Sequence, residues 1–103
     1  VRLLEAVAKI VQRLPNRIAI SGHTDSQPSG DPNYSNWELS SDRANIARRI
    51  LSQNGVLQDR FARVSGKAGS EPLYQDDPDL PGNRRISIVL MREAPVLPPE
   101  HGL

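Results

Sequence analysis

The segment from Ser35 to Asn54 has the period of one long amphipathic helix, and that leaves the chain few ways to fold. At about 100° per residue, Leu39, Ser40, Ala44, Ile46, Ala47, Ile50 and Leu51 share one broad arc. Glu38, Ser41, Asp42, Asn45, Arg48 and Arg49 occupy the opposite, solvated arc. Ser35 can cap the helix, with Glu38 three residues on to complete a capping box. Asn54-Gly55 ends it with residues that tolerate the left-handed conformation. A helix with one apolar side must bury that side against a second layer, so the rest of the chain has to supply one.

The flanking segments supply it as short strands. Ile18 to Gly22 has β-branched residues in phase at Ile18 and Ile20. Phe61 to Lys67 reads as a second strand. Arg84 to Met91 reads as a third, with Ile86, Ile88 and Leu90 in phase. Upstream, Val1, Leu4, Val7, Val11 and Leu14 form a helical stripe widened by Leu3 and Ile10, and Pro15-Asn16 stops it. Ser26 to Asn33 and Ser70 to Gly82 are rich in proline and polar residues and read as loops. Ala94 to Leu103 has three prolines and no period, which predicts a disordered tail after a domain of residues 1–93. The order is α-β-α-β-β, and a strand before Val1 would make it β-α-β-α-β-β. The expected fold is an α/β two-layer sandwich, a small mixed sheet with helices on one face.

One hundred and three residues make one domain with a modest core. The chain opens without a methionine and reads as a fragment of something longer. A net charge of +1, no basic run and few aromatics leave nucleic-acid binding without its usual footprint. No apolar run approaches the roughly 20 residues that span a bilayer. Zero cysteines exclude disulfides and thiolate chemistry.

Arg43 falls inside the apolar arc of the long helix, next to Ile50 in angle. A guanidinium aimed at a core needs anionic partners. The nearest candidate is Asp25, at the end of the run Ile18-Ala-Ile-Ser-Gly-His-Thr-Asp25. Two roles are open. The two charges can pair and simply close the loop, or they can hold a zwitterionic ligand such as an amino acid at a strand's C-terminal edge. Asn36, nearly two helical turns before Arg43, adds an amide on a similar face. Arg84 is in phase with the apolar residues of the last strand, where it either snorkels to water or joins the same site.

Other groupings are weaker. Ser21, His23 and Asp25 alternate on one strand face, side by side rather than head to tail, which is the wrong geometry for a nucleophile–base–orienter chain. His23 and Asp25 have only His101 as a further imidazole for a metal site, so neither metal nor cofactor is expected. Asp76-Asp77-Pro78-Asp79 lacks the ligand pattern of a calcium loop. Trp37, on the polar side of the helix, is suited either to stacking on a sugar or to packing under the Ser26–Asn33 loop.

Gly22-His23-Thr24-Asp25, then Asn36-x-x-Leu39-Ser40-x-x-Arg43-Ala44, then Asn83-Arg84-Arg85 resembles the OmpA-like peptidoglycan-binding domain over residues 17–92. Within that family, Tyr34-Ser35-Asn36-Trp37-Glu38-Leu39-Ser40 and Asn83-Arg84-Arg85-Ile86-Ser87-Ile88 look most like the flagellar stator branch. The wider family has a shorter loop with an early glycine after the Thr-Asp pair, where Ser26-Gln27-Pro28 stands here. The resemblance implies non-catalytic binding of the peptidoglycan stem peptide at diaminopimelate. It gives Asp25 to the ligand's ammonium group and Arg43 to its carboxylate. Asn36 and Arg84 become supporting residues, with Thr24 and Leu39 as walls. It also implies a periplasmic domain of an inner-membrane protein, a MotA-like stator partner held through another region, and a homodimer. A general outer-membrane or lipoprotein anchor is the alternative, with a cell-wall hydrolase behind it.

Overall fold

The computed structural model describes residues 2–28 and 30–92. The proposed tail from Ala94 onward lies outside them. The elements are α1 (Arg2–Gln12), β1 (Ile18–His23), α2 (Asn36–Gln53), β2 (Phe61–Gly66) and β3 (Arg85–Leu90), with single 3-10 turns at Gln58–Arg60 and Pro81–Asn83. The three strands form one mixed sheet in the order β2-β1-β3. β1 runs parallel to β2 and antiparallel to β3. Both helices lie on one face, so the two-layer α/β sandwich expected from the sequence is the fold.

Local chemistry fixes α2 well. The Trp37 N–H donates to Ser35 Oγ at 3.2 Å, and the Ser35 N–H donates to Glu38 Oε2 at 3.0 Å. This is the capping box, and it satisfies donors that the first helical turn cannot. The Ser35 hydroxyl, which donates to the Glu38 carboxylate, holds that carboxyl below the usual range, with the backbone N–H groups of Glu38 and Ser35 adding. At the other end the Asn54 N–H closes on the carbonyls of Ile50 and Leu51, and Gly55 follows with φ +102°.

The core joins Ala8 and Val11 of α1, Ile18 and Ile20 of β1, Ala44, Ala47 and Leu51 of α2, and Val56. The buried line of α2 is Ser40, Ala44, Ala47 and Leu51. That is narrower than the arc read from the helical wheel, and three expectations change with it. Arg43 is exposed. It stands at the margin of the stripe, where a long side chain reaches water. Ile46 is 49% exposed. On α1, Leu3 and Ile10 point outward rather than widening the stripe.

β3 also differs from expectation. Ile88 faces Ile20 across the pair and packs on the core. Ile86 and Leu90, on the same face, are partly exposed. β3 lies on the edge of the sheet away from α2, which sits over β1 and β2 instead. The strand begins at Arg85, so Arg84 precedes it and caps the 3-10 turn.

Candidate functional site

β1 and β2 are parallel neighbours, so their C-terminal ends emerge together, which is where ligands gather in open α/β sheets. The two ends are laced to each other. The Lys67 N–H donates to the Gly22 carbonyl at 2.9 Å, and the Thr24 N–H donates to the Ala68 carbonyl at 2.9 Å. Ala68 has φ +49°, an uncommon value for a residue with a Cβ. It is held there because its N–H also donates to the buried Ser40 Oγ at 3.0 Å. Helix α2 therefore sets the turn after β2.

Thr24 is buried, and its hydroxyl donates to the Asp25 carbonyl at 2.8 Å. Asp25 lines a cleft of about 640 Å³ whose other walls come from the loop before α2, the start of α2 and the 68–70 turn. Oδ1 accepts the Gln27 N–H at 3.1 Å, and Oδ2 lies 3.5 Å from Arg84 Nε. The Asp25 side chain is 13% exposed and that of Arg84 is 51% exposed. An ionised carboxylate has about four acceptor positions. These contacts use two, which leaves acceptor capacity for a further donor.

Asn36 also lines the cleft. Its Nδ2 donates to the Gln27 carbonyl at 2.7 Å and approaches the Asp25 carbonyl at 3.5 Å. The amide therefore shapes the loop after Asp25. Leu39 is half-buried and stands outside the cleft lining. Arg43 lies on the exposed side of α2 and makes no hydrogen bond or ion pair among the described residues; its charge acts on nearby Tyr34. Of the two roles left open by the sequence, mutual pairing does not occur: Asp25 pairs with Arg84, and Arg43 has no ion pair among the described residues. Tyr34 donates to the Asp42 carboxylate, tying the loop to α2, and that bond raises its phenol's pKa.

Two contributors go beyond the site residues read from the sequence. One is the 68–70 turn, since nothing in Ala68-Gly69-Ser70 announces a cleft wall. The other is Asn83, which is fully buried. Its Oδ1 accepts the Tyr74 N–H at 2.7 Å, and its Nδ2 donates to the carbonyls of Asp77 and Pro78 at 3.0 and 3.2 Å. The Ser26 N–H in turn donates to Pro78 at 3.0 Å, and its hydroxyl donates to Asp79. The acidic loop is a brace for the cleft. No group of three or more His, Asp or Glu able to hold a metal occurs among the described residues.

The model of the OmpA family matches residues 2–85. The chain belongs to the OmpA family. Motility protein B of Escherichia coli K12 is 45% identical over 93 residues, covering 88% of this chain and 30% of that protein's length. The chain thus spans under a third of that relative. The crystal structure of the C-terminal domain of Helicobacter pylori MotB superposes with a TM-score of 0.78 at 29% identity, covering 89% of this chain and 73% of that one. The cell wall anchor of the T6SS from Pseudomonas aeruginosa gives a TM-score of 0.70 at 27% identity, over 89% of this chain and 66% of that one.

Ser21, His23 and Asp25 form no chain in this OmpA-family domain. Ser21 Oγ meets Ser65 Oγ at 3.3 Å, and His23 Nε2 meets Ser87 Oγ at 3.0 Å. His23 is buried, and its Nδ1 has no partner among the described residues. Burial, then the nearby Arg85, push its pKa below the ordinary 6.5, with Lys67 adding and Glu71 opposing. A group that binds its proton less readily when folded favours unfolding once the unfolded chain begins to protonate. Stability from His23 is complete above about pH 6.5 and falls as pH drops below it. In urea titrations across this range, His23→Gln should flatten that fall; an unchanged slope would assign it to other groups.

Proposed function

We propose that this domain binds peptidoglycan without catalysis, through the diaminopimelate of the stem peptide, and anchors a MotB-like flagellar stator to the cell wall. The observation that carries the reading is the carboxylate of cleft-lining Asp25, largely buried yet with acceptor positions to spare. Such a group favours a charged donor, and the side-chain ammonium of diaminopimelate is one. Arg43 is the unpaired cation suited to the adjoining carboxylate, with Arg84 steadying Asp25 and Asn36 holding the loop. Thr24 fixes the Asp25 backbone, and Leu39 backs the helix between Asn36 and Arg43. The likeness to MotB and to a T6SS cell wall anchor supports the same reading.

In this reading the domain lies in the periplasm as part of an inner-membrane protein that works as a homodimer. No helix among the described residues is long and apolar enough to cross a membrane. Contact with a MotA-like stator subunit then falls to another part of the protein. The T6SS likeness favours one second reading, a wall anchor serving a different envelope assembly. Loss of swimming with the stator still assembled separates the two.

The test is co-sedimentation with purified peptidoglycan. The domain should pellet with diaminopimelate-type walls and far less with lysine-type walls, because lysine lacks the carboxylate that an arginine grips with two parallel N–H groups. Equal pelleting with both wall types would overturn the ligand. Release of soluble fragments would replace the anchor with a hydrolase.

A further inference from the structure

We propose that Trp37 is a carbohydrate platform, a second subsite of the same cleft that stacks on a sugar ring of the glycan to which the stem peptide is attached. The inference rests on the peptidoglycan reading and adds a ligand contact that the charged residues do not provide.

Trp37 is the only tryptophan in the chain. It is the second residue of α2, and its backbone is fixed on both sides. Its N–H donates to Ser35 Oγ at 3.2 Å, and its carbonyl accepts the Ser40 hydroxyl at 3.1 Å. The side chain does not pack away under the loop. It is 56% exposed and lines the cleft together with Pro28 and Pro32. An indole half in water beside a cavity presents a flat apolar face that a ligand can cover.

The rest of the lining selects the cover. Asp31, Ser35, Asn36 and Ser70 line the same cleft as the indole. A pyranose has an apolar face of C–H groups and an edge of hydroxyls and amides, so its face suits the indole and its edge suits those polar residues. A lipid surface or an apolar protein segment would bury the exposed Asp31 carboxylate against apolar groups. Asp25 lies in the same cleft, so one ligand carrying an ammonium group and a sugar can meet both residues.

Because there is one tryptophan, the protein's indole fluorescence reports this site alone. The experiment titrates the domain with the free diaminopimelate stem peptide, and separately with the same peptide on its disaccharide. The disaccharide form should shift Trp37 emission to the blue and bind roughly tenfold tighter, the size of one aromatic stacking contact. By calorimetry, Trp37→Ala should bind both ligands equally, at the affinity of the free peptide, while Trp37→Tyr keeps part of the advantage. Wild-type protein that binds both ligands equally, or a Trp37→Ala variant that keeps the preference, overturns the sugar contact and leaves the peptide site standing. Wild-type protein that binds neither ligand overturns both. A variant that loses free-peptide binding as well makes Trp37 a support for the peptide site and also refutes the platform.

Discussion

Gly22→Ala is expected to cost at least about 3 kcal/mol, the upper end of the usual range for overpacking a core. A Cβ at Gly22 would stand 2.0 Å from the Ser40 carbonyl oxygen and 2.9 Å from its carbon, and both are backbone atoms. No rotamer change relieves that. The neighbouring strand repeats the requirement: a Cβ on Gly66, which pairs with Gly22, would stand 2.5 Å from the Ser41 N and 2.3 Å from its hydroxyl. The second turn of α2 therefore rests directly on a pair of glycines. Lifting it would open the contacts that Ala44, Ala47 and Leu51 make below. It would also withdraw Ser40 Oγ from the Ala68 N–H, releasing the turn that walls the cleft. For a domain of this size 1 kcal/mol shifts the melting temperature by about 4–8 °C, so circular dichroism should show a fall of more than about 12 °C. A shift of a degree or two would mean that α2 does not depend on this close approach.

The same contact explains what the sequence could and could not convey. Ser35, Glu38 and Asn54 act on atoms within one turn of themselves, so the bounds of α2 are readable locally. Ile18 and Ile20 announce their strand by alternation. The width of the buried face of α2 is another matter. It is set by glycines on two strands distant in sequence, which bring the sheet close under Ser40 and leave small residues, Ala44 and Ala47, as the inward line. A helical wheel places Arg43 near that line by angle but cannot show where the sheet ends. The choice of Arg84 over Arg43 as the partner of Asp25 is likewise non-local, fixed by the 3-10 turn that precedes β3. Asn83 was visible only as part of a motif. Its work of gathering the Tyr74 N–H and the carbonyls of Asp77 and Pro78 depends on a loop path that proline and aspartate content do not specify. Ile86 and Leu90 read as core because alternation marks a face without saying whether the helix layer reaches it.

Asp25→Ala is expected to abolish detectable wall binding while leaving the domain folded. The two halves of this expectation rest on different observations. Folding should survive because the Asp25–Arg84 pair is long, at 3.5 Å, and its arginine is half in water. Ion pairs exposed to this degree contribute little to stability. Binding should not survive, because the carboxylate supplies the acceptor that a bound ammonium would lose. Truncating one partner of a desolvated charge pair costs about 2–5 kcal/mol, which is about thirtyfold to several thousandfold in affinity. Arg43→Ala separates the roles further. Arg43 is exposed and without a hydrogen bond or ion pair among the described residues, so its removal should leave the melting temperature unchanged, and any loss of pelleting must come from the ligand. Arg43→Lys should recover only part, since an ammonium cannot present two parallel donors to a carboxylate. If Arg43→Ala pellets normally and Arg84→Ala does not, the ligand's carboxylate is held by Arg84, and Asp25 and Arg84 act as one clamp. If Asp25→Ala is folded and pellets like the wild type, the cleft is not the wall-binding site, whatever either arginine does.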